Sequence, residues 1–200
     1  MIAANQNQAT LVSTLWPTGE RSSLMRATVL AVAGSALLAI SAKIQIPFYP
    51  VPMTMTTFMV LLLGMSLGWR LAAATILLYL AEGAAGMPVF AGTPEKGIGL
   101  AYMMGGTGGY LIGYLLAAVT CGWLAEHGWG RNVVSTAIAM LVGNVLIYVP
   151  GLLWLGALVG WDKPILEWGL TPFILGDLTK LALAAVVLPM AWKLTQARND

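Results

Sequence analysis

Charge is scarce in this chain. Lys and Arg number 10 and Asp and Glu 8, so 9% of the 200 residues are charged, against about 25% in soluble domains. A net charge of +2 without any basic block leaves no electrostatic footprint for nucleic acid. Cysteine occurs once, at Cys121, which excludes an internal disulfide and any cysteine-based metal site. Histidine also occurs once, and His127 reads as a solvated loop residue. No Ser/His/Asp set, His-rich cluster or pair of intramembrane aspartates occurs, so hydrolytic catalysis has little support. An ATP-binding motif is missing too, and the chain cannot itself use nucleotide energy. No catalytic residue, metal or cofactor is expected.

What fills the chain is apolar: 58% of residues are hydrophobic and the mean hydropathy is +0.81. The expectation is an all-α integral membrane protein. Hydropathy marks six spans, at 24–43, 53–68, 70–85, 109–126, 133–158 and 171–193, each near the ~20 residues needed to cross. Spans two and three are short and joined through Gly68-Trp69-Arg70, a tight hairpin. The expected organisation is a polar segment 1–23, a membrane domain 24–193 and a tail 194–200. The first run is long enough to be an uncut span rather than a cleaved signal. Arg21, Arg26, Arg70, Arg131, Lys193 and Arg198 collect on one side, and Lys43, Lys96 and Lys163 on the other. This asymmetry predicts both termini in the cytoplasm.

The last span holds a charged pair, Asp177 and Lys180, three residues apart and therefore on one helix face. A charge at helix-centre depth costs roughly 2.5–3.5 kcal/mol on insertion scales, so its retention calls for a reason. Two readings stand: a polar grip on a solute, or a self-neutralising ion pair that locks helices together. Entered from outside, the pair falls in the exterior half of the bilayer. In span five Asn144 and Tyr148 lie one turn apart and are further polar candidates, although a membrane Asn also serves as glue between helices.

Three other stretches carry information. Ala27, Ala31, Ser35 and Ala39 form a ladder of small residues at spacing four in span one, suited either to packing within the bundle or to docking a partner helix. Three prolines in Pro47-Phe48-Tyr49-Pro50-Val51-Pro52 stop the first helix and hold the chain extended, with Thr54, Thr56 and Thr57 just beyond: either a rigid corner, or a site element that sets hydroxyls and an aromatic ring beside the outward cavity. The connection from Glu82 to Tyr110 is long enough for a lid or binding loop. It ends in Gly105-Gly106-Thr107-Gly108-Gly109, whose free N–H groups at a helix start suit a carboxylate; the alternative is a tight bend that glycine permits.

Four motifs in order now give a resemblance: Pro47-Phe48-Tyr49-Pro50-Val51-Pro52-Met53-Thr54, Gly86-Met87-Pro88-Val89-Phe90, Gly106-Thr107-Gly108-Gly109-Tyr110 and Gly176-Asp177-Leu178-Thr179-Lys180. The chain resembles the BioY family, the biotin-specific substrate-binding (S) components of energy-coupling-factor (ECF) transporters. The resemblance implies a six-helix S component in the plasma membrane of a bacterial-type cell. It would capture biotin from outside, with a transmembrane coupling protein and ABC-type ATPases as partners. It moves Ala27, Ala31, Ser35 and Ala39 toward partner docking. Asp177 and Lys180 would read the ureido ring, Phe48, Val89 and Phe90 would wall the apolar part, and Thr107, Gly108 and Gly109, or Lys96 at the mouth, would receive the carboxylate. Where this chain has Thr56 the family commonly has Gln, and Gly105-Gly106 stands where Gly-Pro is frequent. The Pro94-Glu95-Lys96 piece has no familiar counterpart. Alternatives are an S component for another small vitamin or metabolite, and a membrane enzyme using Asp177 as base.

Overall fold

The computed structural model describes residues 10–16 and 23–197, and side chains up to residue 195. The parts of the expected terminal segments at 1–9, 17–22 and 198–200, with Arg21 and Arg198, lie outside the described residues. In chain order the elements are α1 (Leu11–Leu15), α2 (Ser23–Lys43), β1 (Gln45–Ile46), β2 (Met53–Thr54), α3 (Thr56–Leu67), α4 (Trp69–Ala84), α5 (Gly99–Met103), α6 (Gly108–Glu126), α7 (Val133–Val159), α8 (Ile165–Gly169), a 3₁₀ turn (Thr171–Phe173) and α9 (Ile174–Ala197). Helix dominates, as the apolar runs require, because in lipid each backbone polar group must be satisfied within its own segment.

Four stretches are long and apolar enough to cross a membrane: Ser23–Lys43, Gly108–Glu126, Val133–Val159 and Ile165–Thr195. The second and third expected spans are shorter. Helix α3 has 12 residues and α4 has 16, lengths of about 18 and 24 Å at 1.5 Å per residue. Residues 53–55 do not extend α3, because Met53–Thr54 pairs antiparallel with Gln45–Ile46. Gly68, at φ +81°, makes the sharp turn from α3 into α4. Part of the expected polar N-terminal segment is docked: Leu11 of α1 is buried, and Thr10 and Ser13 close a capping box at its start.

The core sits where α6 is wrapped by α3, α4 and α7. Its closest seam, between α6 and α7, is built on small residues. A Cβ on Gly113 would lie 2.6 Å from the Ile147 Cα and 2.7 Å from its carbonyl oxygen. Gly109, one turn earlier, has no room for a Cβ against the Pro150 carbonyl and the Trp154 side chain. One and two turns further on, Ala117 and Cys121 are fully buried, and the Cys121 thiol donates to the Ala139 carbonyl at 3.4 Å. This is the small-residue strip that lets two membrane helices approach, since association in lipid depends on close packing.

The ladder on α2 is only partly open to a partner. Ser35 is fully buried and donates to the Glu82 carboxylate of α4. Ala27, Ala31 and Ala39 are only partly exposed, and Ala39 packs on the core. The outward face of α2 is made instead by residues such as Val29, Val32, Ala33, Ala36, Leu37 and Ile40. The reason is local: Gly34 lies against Thr75 of α4, which turns the ladder's side of α2 toward the bundle.

Candidate binding site

Asp177 lies in the first turn of α9, where the positive end of the helix dipole favours a carboxylate by about 0.3–1 kcal/mol. Lys180 follows one turn later, and its Nζ donates to Asp177 Oδ1 at 3.0 Å. The same ammonium donates to the Thr54 carbonyl at 2.7 Å and to Thr57 Oγ1 at 2.9 Å. Its three donors are therefore all engaged. Asp177 Oδ2 accepts from the Tyr148 hydroxyl of α7, and the Thr57 hydroxyl reaches Oδ1 at 3.5 Å. An ionised carboxylate offers about four acceptor positions, so these three donors leave one on Oδ2 unfilled among the described residues. The side chains of Asp177 and Lys180 are only 9% and 12% exposed. Two charges so sheltered persist because each neutralises the other and each is hydrogen-bonded.

The pair lines a narrow cleft of about 560 Å³, counted out to its open mouth. The short β1–β2 ladder and the proline corner set one wall, presenting Thr54 and Thr57 to Lys180. The α4–α5 connection contributes a further wall through Phe90, whose ring stacks on Tyr102 with centroids 5.0 Å apart and meets Tyr79 edge-on at 5.3 Å. Tyr148 stacks on Phe173 at 6.4 Å. Five of the six tyrosines of the chain line this cleft: Tyr79, Tyr102, Tyr110, Tyr114 and Tyr148. Tyrosine suits such a place because its ring gives apolar wall and its hydroxyl a polar tip. Burial holds the Tyr102 phenol, in the α4–α6 connection, above the usual range, with a hydrogen bond to Thr107 acting the other way. Its hydroxyl stays protonated and able to donate.

Of the residues singled out in the sequence, Asp177, Lys180, Tyr148, Phe90 and Thr107 meet around this one cleft. Asn144 does not line it. It lies beside the cleft, one turn before Tyr148 on α7: it borders an apolar groove between α7 and α9 together with Tyr148 and Asp177, and a small cavity together with Thr57 and Lys180. Phe48 packs edge-on against Phe173 at 6.1 Å and so backs the wall from outside. Val89 contributes its carbonyl, which accepts from the Tyr79 hydroxyl at 3.2 Å, rather than a side-chain wall. Gly108 and Gly109 are taken up in packing against Trp154 and Pro150, which leaves them outside the cleft lining. Lys96 is exposed and lays its methylenes over Gly92.

The sequence reading passed over Tyr79, Tyr102, Tyr110, Tyr114 and Phe173. A usable signal existed: Tyr110 and Tyr114 stand one turn apart on an otherwise apolar helix, and Tyr79 stands one turn before Glu82. Among the described residues no group of His, Cys, Asp and Glu gathers to hold a metal.

Apolar helices of spanning length around a polar-headed, aromatic-walled cleft define the class of a multi-pass integral membrane protein. Comparison with known proteins makes this more specific. The BioY family model matches residues 8–197. The chain is 38% identical to the probable biotin transporter BioY of Pyrococcus horikoshii, over 76% of this chain and 87% of that protein. It is 35% identical to the biotin transporter BioY of Thermotoga maritima, over 82% and 94%. Among solved structures, the S-component for biotin from an ECF-type ABC transporter superposes with a TM-score of 0.74 at 24% identity, covering 88% of this chain and 95% of that one. The chain belongs to the BioY family.

Proposed function

We propose that this protein captures biotin at the outer face of a cell's plasma membrane and passes it inward as the S component of an ECF-type transporter. Its partners are a transmembrane coupling protein and ABC-type ATPases, and the ATPases hydrolyse the ATP. The relatives named as biotin transporters support the ligand and the transport role. The observation that carries the reading in this chain is the Asp177 carboxylate. It is fixed by Tyr148 and Lys180, keeps one acceptor position unfilled, and stands at the head of an aromatic-walled cleft.

Biotin's ureido ring offers two N–H donors and a carbonyl acceptor. One N–H takes the unfilled position on Asp177, and the carbonyl takes the place of Thr57 on Lys180, while the Thr57 hydroxyl keeps its bond to Asp177. The thiophane ring and valeryl chain lie against Phe90, Tyr79 and Tyr102, and Thr107 at the other end of the cleft receives the carboxylate. No bond is made or broken. In this reading α3 and α4 complete six crossings despite their length, and both termini are cytoplasmic. The coupling protein docks on the outward face of α2.

Equilibrium binding of labelled biotin to the purified protein tests the proposal. Saturable submicromolar binding, with unchanged biotin recovered afterwards, is the expected outcome. Absence of such binding would sink the ligand assignment, and recovery of a modified product would sink the transport role.

A further inference from the structure

The second lysine that matters in this fold is Lys43, the last residue of α2. Its ammonium does not turn back to the orphaned carbonyls of its own helix end. It crosses to the α4–α5 connection and donates to three acceptors there: the Phe90 carbonyl at 3.0 Å, the Thr93 carbonyl at 3.0 Å and Thr93 Oγ1 at 3.1 Å. An ammonium has three donors, and all three are spent on four residues of chain. The connection is curled to receive it: the Thr93 hydroxyl donates to the Phe90 carbonyl at 2.7 Å and the Lys96 amide to the Gly92 carbonyl at 2.8 Å.

The consequence reaches the cleft. The main chain of Phe90 is held at one atom by both Lys43 and Thr93, and its residue lines the same cleft as the Asp177 pair. That ring fills the space above Gly83, where a Cβ would collide with it. Immediately after Lys43 the chain enters β1, which pairs with Met53–Thr54, and the Thr54 carbonyl is a ligand of Lys180. The end of α2 thus holds both sides of the cleft, one through Lys43 and Phe90, the other through β1, β2 and Lys180.

We infer that Lys43 is a positioning residue for the binding cleft: it ties the segment 90–93 to the end of α2 and thereby keeps the Phe90 ring in the cleft wall. The inference rests on the cleft being the ligand site proposed above. Phe90 lines the cleft, so a looser segment 90–93 holds a bound ligand less firmly, and loss of Lys43 acts on the dissociation rate more than on the association rate.

Two measurements on the full-length protein in lipid nanodiscs test this and separate its failure from that of the biotin assignment. Amide hydrogen exchange needs no ligand. Lys43→Met, which keeps the stem and removes the donors, is expected to speed exchange in 90–97 by about tenfold or more, leaving α6 and α7 unchanged. Lys43→Arg is expected to restore most of the protection. Labelled-biotin dissociation is expected to speed by about tenfold in Lys43→Met with association within about twofold of the parent. Thr93→Val, which removes one of the three acceptors, is expected to show a smaller change of the same kind and serves if Lys43→Met does not fold. Unchanged exchange in 90–97, or faster exchange spread evenly over the chain, overturns the inference. So does faster local exchange with unchanged biotin dissociation. If the parent does not bind biotin yet exchange rises only in 90–97, the tether stands and the ligand assignment falls.

Discussion

One carboxylate joins α7 to α9: Asp177 accepts the Tyr148 hydroxyl on Oδ2 while Oδ1 takes the Lys180 ammonium at 3.0 Å. This makes the site a prearranged acceptor rather than a loose charge. Asp177→Asn therefore has two expected effects. It removes the charge that balances a lysine only 12% exposed, which costs stability by about 3–5 kcal/mol as for other broken buried pairs. It also places an amide where a ureido N–H needs an acceptor, so biotin affinity of the folded fraction is expected to drop at least 100-fold. Thermal unfolding in detergent, followed by isothermal titration, measures both. An unchanged Kd would remove Asp177 from the recognition site.

Tyr148→Phe separates recognition from folding. The ring that stacks on Phe173 is kept, and only the donor to Asp177 is lost. A hydrogen bond to a charged group contributes about 1.5–3 kcal/mol, so biotin affinity is expected to fall about 10- to 100-fold. The variant should purify like the parent. If affinity is retained, the hydroxyl is not what holds the carboxylate in register.

The glycine cluster gives the sharpest contrast between two chemical roles. A carboxylate cradle would tolerate Gly109→Ala, because alanine keeps the backbone N–H. Packing would not, since the Cβ meets the Pro150 carbonyl and Trp154. Overpacking of this kind costs about 1–3 kcal/mol. Gly109→Ala is expected to lower the unfolding temperature while the folded protein binds biotin within a few fold of the parent. An unfolding temperature equal to the parent's would overturn the packing role.

These outcomes explain what could be read from the residues alone. Asp177 and Lys180 were legible because a charge in an apolar run is expensive wherever the helix packs, and the proline corner because proline fixes its own backbone. Gly108 and Gly109 were not. A glycine at a helix start serves an anion or a neighbouring helix equally well, and only the arrival of Pro150 and Trp154, some forty residues on, decides. The same holds for small-residue ladders. In water, an inward face announces itself by being apolar; in lipid both faces are apolar, so spacing four on α2 and on α6 look alike. The strip that packs most tightly, from Gly109 to Cys121, was hidden in a run read only as a span. Asn144 was legible as a polar residue in an apolar run, and it stands beside Tyr148, Asp177 and Lys180 although outside the cleft lining.

The outward face of α2 carries the last prediction. Of the four stretches long enough to span, α2 is the least covered, with 22% of its apolar window buried against 33–61% in the others. Ser35 spends its hydroxyl on Glu82 inside the bundle, whereas Ala33 and Ala36 are exposed small residues where another helix can come close. Ala36→Leu is therefore expected to leave biotin binding by the isolated protein unchanged and to reduce ATP-driven uptake severalfold in vesicles that hold the whole transporter. Ser35→Ala is expected to do the reverse in kind. It leaves a partly buried carboxylate without its donor, lowers stability by about 1–3 kcal/mol, and reduces uptake only in proportion to the protein lost. Uptake by Ala36→Leu at the parental rate, with the same amount of coupling protein co-purified, would show that the partner docks elsewhere.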